Sequence, residues 1–361
     1  MKKIVLSMAV AASATLAGGE INPAEQIVHT EAPAGVTVKS GAAVLKFSGQ
    51  HYLHYINNTD AAGNTTNKFG ISRNYVQVKA YFADSPKDYM RVTLDAKQNS
   101  NFDKGSLDVR VKYAFLYLDN ILPSTGVEIG LAHTPWLDYE EHHGWYYRSI
   151  SETFSEQYNG GHLQNSSDYG VNFKTKTEYF SSEIGVFNGA GYHGVEDGKG
   201  LRGEWRLTAH LLGTGKKHVH KSDTYADASF FGSYGAKDTG FANANGDYRW
   251  YGLHAVYNQP AFLLAGMYLK ADKADKSRQG HGWSVNGELR LSALSESMNK
   301  WNVLGRYDDY TLDSNVEKKT TFAGIAYQYN KYVEFVANYQ KDEKSGTTEG
   351  KKYLLTAEIN W

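Results

Sequence analysis

Cysteine is absent from the 361 residues, proline occurs only six times, and no apolar run approaches the ~18 residues that a membrane-spanning helix needs. Without cysteine there are no disulfide frameworks and no thiolate metal sites. Strong net charge is missing too: the formal value is −1, and loss of Lys2 and Lys3 with an amino-terminal leader would make it about −3 (−1 − 2). Nothing in that balance suggests a nucleic-acid partner. No nucleophile, base and orienting partner stand together, and no HExxH-like ligand set is present, so the chain reads as a non-enzyme without cofactor or metal. No shift in composition marks an internal domain boundary.

What is present is tyrosine (27), glycine (36) and a long alternation of polar and apolar residues. Lys2 and Lys3 precede an apolar run from Ile4 to Ala17, ending in the small residues of a cleavage site, so residues 1–17 read as a secretory signal peptide. Residues 18–43 have no sustained period and read as a flexible periplasmic lead-in, with a plug or latch as the alternative. Residues 44–361 read as one β-barrel domain.

Sixteen segments of period two can be drawn, at 45–56, 71–83, 88–97, 108–118, 126–133, 168–176, 178–188, 201–212, 224–234, 247–257, 261–271, 281–292, 299–310, 318–329, 332–340 and 351–361. Their lengths suit an apolar belt of ~25 Å crossed at a tilt near 45°, and their number is even. Phase fixes the facing. In 88–97, Met90, Val92, Leu94 and Ala96 oppose Arg91, Thr93, Asp95 and Lys97; in 281–292, Trp283, Val285 and Leu289 oppose Ser284, Glu288 and Arg290. Reversing the phase would turn each Arg or Lys to lipid at a cost of ~2–4 kcal/mol near the midplane. Connections alternate as well, short after even segments and longer after odd ones (57–70, 98–107, 134–167, 189–200, 235–246, 272–280, 311–317, 341–350). The exception is 213–223, a long basic connection on the short side, which reads as a solvated turn with a weak metal alternative at His218 and His220.

The expected fold is therefore an all-β, sixteen-stranded antiparallel transmembrane barrel. One stretch breaks the alternation, PWLDYEEHHGWYYRSISETFSEQYNGGHLQNSS at 135–167, and a structureless segment this long is usually functional. Its cluster of Asp138, Glu140, Glu141, His142 and His143, followed by Arg148, reads as the lining of a pore constriction. By phase, the wall facing it carries Arg73, Lys79, Arg91, Lys97, Arg110, Lys112, Arg206, Arg290, Arg306 and Asp308. Lys46, Lys174, Lys270 and Lys352 join the inward cations, and Asp95, Glu128, Glu183, Glu204, Glu288, Glu334 and Glu358 the inward acids. An acidic loop against a basic wall would set a transverse field across the passage.

The stretches GVEIGLAHTPW at 126–136, IGVFNGAGYHG at 184–194 and NVLGRYDDY at 302–310 make the chain resemble Gram-negative outer-membrane porins, and among them the phosphate-selective porin O/P-like group. The last strand, with Tyr353, Leu355, Ala357, Ile359 and Trp361 on one face, resembles the carboxy-terminal signature of such proteins, which usually ends in Phe. The resemblance implies a loop after the fifth strand that folds inward, a homotrimer, a bacterial outer-membrane location among lipid and lipopolysaccharide, and recognition of the last strand by the barrel assembly machinery. It implies passive diffusion of small hydrophilic solutes or ions, and no phosphate-binding set can be carried over residue by residue. The alternatives are an exported soluble β-protein that binds a ligand and an outer-membrane enzyme.

Overall fold

The structure is a computed structural model that describes residues 38–41, 43–98, 107–192, 194, 200–236 and 241–361. The signal-peptide segment, most of the lead-in and the loop 99–106 lie outside the described residues. Strand alternation resolves into β1 (Val38–Ser40), β2 (Ala43–Asp60), β3 (Thr65–Phe82), β4 (Ser85–Gln98), β5 (Leu107–Leu122), β6 (Thr125–His133), β7 (Ser167–Lys176), β8 (Phe180–Phe187), β9 (Leu201–His210), β10 (Tyr225–Ala236), β11 (Asp247–Gln259), β12 (Phe262–Lys273), β13 (Gly280–Arg290), β14 (Trp301–Leu312), β15 (Glu317–Asn330), β16 (Val333–Lys344) and β17 (Thr347–Asn360). The sixteen strands β2 to β17 pair antiparallel with their neighbours in sequence order, and β17 returns to β2 in the register Gly350↔Asp60 to Asn360↔Gln50. The sheet is thus a closed barrel, which leaves no edge to satisfy in an apolar medium. The short β1 pairs with β2, Val38 opposite Leu45. At the closing seam the Trp361 indole lies against Gly49, where any Cβ would collide with the ring.

The outward face is apolar. Leu253, Leu264, Val285, Leu289, Val303 and Leu355 are exposed on it, with aromatic pairs such as Trp301–Tyr327 and Trp283–Tyr307 toward the two ends. An exposed apolar belt of this kind excludes the soluble alternative, whose apolar faces would meet in a core. The inward face holds the charges predicted from phase, among them Arg91, Glu183, Arg206 and Asp308, each at most 5% exposed.

Three expectations change. Residues 57–70 are mostly strand, because β2 and β3 run on as a polar hairpin turning at 61–64; beyond the belt both faces meet water, so alternation fades while pairing continues. On β5 the phase switches at a bulge, where Thr93 pairs with Tyr113 and Leu94 with Val111, so that Lys112 and Tyr113 both turn inward. Lys270 faces outward on β12, where Leu263, Ala265, Met267, Leu269 and Ala271 form the inward row. The inward face is apolar there because an inserted loop, and not water, lies against it.

Candidate functional site

The segment between β6, fifth of the barrel strands, and β7 begins with one short helix, α1 (Leu137–His143), and continues through turns to Ser166. Its bonds reach strands on different sides of a closed barrel. Glu141 lies 3.8 Å from Arg73 on β3; the Tyr139 hydroxyl donates to Asp227 on β10 at 2.6 Å; Asn286 on β13 donates to the Gly144 carbonyl at 2.7 Å; and Arg306 on β14 donates to the Glu152 carbonyl at 2.8 Å. A segment that touches β3, β10, β13 and β14 crosses the interior.

It is held mainly on the β10–β14 side. Trp136 stacks on Phe231 with ring centroids 3.6 Å apart and planes 5° from parallel. With Leu137, Phe154 and Leu163 these rings join Met267, Leu269 and Ala271 of β12 in one buried cluster. Arg206 donates to the Pro135 carbonyl at 3.2 Å and lies over the Tyr139 ring, Arg306 lies over Trp145, and Asp308 accepts from Gln157. Arg206, Arg306 and Asp308 are therefore covered by the loop. Arg290 is occupied at the short-turn end by Glu288, the Gln259 carbonyl and Asn258.

The six predicted loop residues divide in two. Glu141 and Arg148 meet at 2.9 Å, and Arg148 is also 2.9 Å from Glu156 and 3.9 Å from Glu152. Glu156 and Glu152 carried no special signal in the sequence, yet they complete a chain Arg73–Glu141–Arg148–Glu156. Arg148 thus offsets part of the loop's acidity from within, so the acidic edge that faces the basic wall is weaker than the cluster Asp138–Glu141 alone would make it. The other four residues belong to α1 and its packing. The Glu140 carboxylate side chain accepts from the Trp136 indole at 2.8 Å. The His142 ring donates to the Asp138 carbonyl, and His143 stacks on Tyr139 and donates to its carbonyl at 2.9 Å. Burial lowers the His143 pKa to about 3, so this ring is neutral in the physiological range. Among the described residues no group of three or more metal-ligating side chains forms, at these histidines or at His218 and His220.

Burial pushes the Glu140 carboxyl up to about 8 from an ordinary 4.5, with the Arg306 charge opposing and Asp308 and Glu141 adding to it. A raised pKa means that its contribution to loop docking is full below pH 4.5 and lost as pH rises through about 8. Docking should therefore loosen progressively from about pH 4.5 to about pH 8 and change no further above that, read as increased solvent quenching of the loop tryptophans. Glu140→Gln, which keeps the shape without the charge, should abolish that pH dependence; quenching that rises equally in the variant would disprove the assignment.

The opposite wall, β2 to β5, is basic, and its cations rest on tyrosines. Lys46 lies over Tyr81, Lys79 over Tyr89, Arg91 over Tyr113, Arg73 over Tyr52 and Tyr75, Lys112 over Tyr75, and Arg110 over Tyr192, at 4.6–5.3 Å from ring centroids. Each such contact is worth ~0.5–2 kcal/mol and fixes a flexible cation in place. Among the described wall carboxylates, Asp95 is paired with this row, 3.1 Å from Arg110. Below it, Arg91 donates to His133 Nε2 at 3.0 Å; since arginine only donates, the ring proton sits on Nδ1 and goes to Glu128, also at 3.0 Å. Lys174 and Glu183 continue this belt to Arg206. The Lys97 side chain lies outside the described residues. Most of the tyrosine partners had no sequence signal beyond the high tyrosine count, because they lie on other strands or, as Tyr192 does, in the connection after β8; Tyr75, two residues from Arg73 on β3, is the one that period two brings to the same face.

The connection 211–224 is no solvated turn. Val219 is buried, Lys221 lies over Tyr146 and Tyr147 of the loop, and Asn258 of β11 donates to the carbonyls of Lys221 and Asp223. It folds into the barrel from the short-turn side and meets the loop.

No family model matches the chain, and no curated protein matches it. Solved structures do. Similar ones include the trimer form of OmpT, an outer-membrane protein of Vibrio cholerae (12% identity, 89% of this chain and 100% of that chain, TM-score 0.59), and an anion-selective porin from Comamonas acidovorans (12%, 88% and 100%, 0.61). Salmonella typhi OmpF in complex with daunomycin is similar to the same degree (12%, 90% and 100%, 0.61). At this identity the likeness is one of fold, that of a sixteen-stranded outer-membrane barrel.

Proposed function

We propose that the protein is a channel of the bacterial outer membrane through which small hydrophilic solutes diffuse passively, narrowed where the loop 134–166 crosses the lumen. The observation that carries this reading is the loop itself: anchored on β10–β14, it leaves its Glu141–Arg148–Glu156 edge facing the cationic wall of β2–β5. A passage bounded by Arg73 and Lys112 on one side and that edge on the other needs no catalytic group; it needs width, water and fixed charge. Reconstitution into planar bilayers should give stepwise conductance, and barrels that stay closed at every voltage would refute the proposal. A homotrimer, supported by the trimeric state of the V. cholerae protein of the same fold, would appear as conductance in groups of three steps.

The same geometry supports a preference for anions. Among the described residues, six basic side chains line the β2–β5 wall with the Asp95 carboxylate beside Arg110, while Arg148 offsets part of the loop's acidity. The phosphate-selective porin O/P-like assignment belongs to this proposal, with inorganic phosphate as the anion to compare with chloride. The reversal potential under a salt gradient should report anion selectivity. Glu141→Gln should increase it, since one unit charge at ~4 Å in water is worth ~1 kcal/mol, about five-fold in the permeability ratio. Glu140→Gln should leave it unchanged at pH 7, because that carboxyl is already neutral. An unchanged potential in Glu141→Gln would remove the loop edge from the selectivity filter.

A further inference from the structure

Three inward carboxylates gather at the short-turn end of the lumen: Glu288 on β13, Glu334 on β16 and Glu358 on β17, each at most 4% exposed. Glu334 and Glu358 are directly paired across their strands, which places two like charges in facing positions. Such a pair is destabilising unless a cation lies between its members. Two cations are at hand. Arg290 is committed to Glu288 at 2.8 Å, and Lys221 reaches Glu334 at 3.4 Å. Three carboxylates against two cations leave one negative charge over.

The surplus coincides with unused acceptors. Glu334 Oε2 and Glu358 Oε2 find no hydrogen-bond partner among the described residues, nor does the hydroxyl of Tyr52, which the register sets directly opposite Glu358 and which is 2% exposed. A buried carboxylate oxygen left unpaired costs ~1–3 kcal/mol or more, so a row of them marks a place for donors beyond the Ser149 hydroxyl, which lies beside Glu358. Lys221 differs from Arg290 in that it comes from a connection and not from a strand. Its ammonium is brought in by the infolded segment 211–224 and rests over the Tyr147 ring at 4.7 Å.

We propose that Glu334, Glu358 and Tyr52 form a seat for a primary alkylammonium solute, and that Lys221 is a tethered competitor for that seat. Three ammonium N–H groups match three acceptors, the two free carboxylate oxygens and the tyrosine hydroxyl. The Tyr147 face offers a cation–π surface to the same group. A solute ammonium that takes the seat releases Lys221, and with it one of the contacts that hold 211–224 against the loop, the packing of Val219 on Tyr146 and Tyr147 remaining. The route by which solutes arrive rests on the channel reading, but the seat does not depend on conduction.

Calorimetry of the detergent-folded full chain with 1,5-diaminopentane as probe, and 1,5-pentanediol as the uncharged control, tests this directly. A tethered competitor acts at an effective concentration of the order of millimolar, so Lys221→Met should bind the diamine about ten-fold more tightly than the wild type. The double variant Glu334→Gln with Glu358→Gln should show no binding. Equal affinity in the wild type and Lys221→Met, diamine binding that survives the double change, or tighter binding of magnesium ion than of diamine would each overturn the proposal. Heat-dependent gel mobility reports whether each variant folds, and if the double variant does not, the Lys221→Met comparison decides alone. Failure of the channel reading would appear separately, as absent conductance in bilayers with amine binding intact.

Discussion

Replacing Arg148 by alanine is expected to release the loop's inner edge from the barrel. The guanidinium lies within 2.9 Å of both Glu141 and Glu156, and the side chain is 6% exposed. Burial disfavours its charge, and the two carboxylates more than offset that, holding the arginine protonated far above any working pH. Removing it leaves Glu141, Glu156 and part of Glu152 facing one another, with Arg73, 3.8 Å from Glu141, and the more distant Lys112 as the remaining cations among the described residues. Truncating one member of a buried ion pair costs ~3–5 kcal/mol, largely through the charge left behind. Local openings draw on just such a margin, so the loss should appear first in the loop and not in the strands. Hydrogen exchange over residues 141–157 should accelerate by at least two orders of magnitude while β12 to β14 stay protected, and single-channel current should become noisier. Arg148→Lys should recover only part of the effect, because a point charge cannot meet two carboxylates in the planar fork geometry. Unchanged exchange in Arg148→Ala would show that the apolar anchor alone holds the loop.

The barrel could be read from the sequence because it repeats one physical decision sixteen times. At each strand a period of two separates a lipid face from a watery one, and misplacing even one Arg or Lys there costs ~2–4 kcal/mol. Arg91 against Val92, or Ser284 against Val285, states that decision locally. The loop carries no such repeat. The acids of 138–141 stand out as a cluster, but that Arg148 pairs with Glu141 and gathers Glu152 and Glu156 around itself depends on how the backbone turns after Trp145. Nor does a histidine pair show in advance that its rings will serve a helix turn, as His142 and His143 do with the carbonyls of Asp138 and Tyr139. Lys270 shows the same limit from the wall side. The alternation on β12 was clear, but which face meets water depends on a segment more than a hundred residues earlier.

That dependence makes Trp136 the other site of large effect. Its indole is 1% exposed, stacks on Phe231 and donates to Glu140. Trp136→Ala should destabilise the docked loop by ~3–5 kcal/mol, of which ~0.5–1.5 belongs to the ring pair. The stacked ring also keeps Glu140 dry, so its loss should let the carboxyl fall back toward the ordinary range and ionise at neutral pH, adding a charge to a cluster built without one. The transition in loop quenching near pH 8 should therefore move down by more than a unit in Trp136→Ala. Trp136→Phe separates the two contributions: it keeps a ring on Phe231 but supplies no indole donor, so it should restore most of the docking. The inward row Leu263, Ala265, Met267, Leu269 and Ala271 explains why the effect should reach the wall as well. Uncovered, that row is an apolar strip inside a water-filled barrel, and exchange protection of β12 should fall in Trp136→Ala although no strand residue has changed. If β12 keeps its protection while the loop is free, its inward face is stable against water by itself, and the loop is a lining laid over a finished wall.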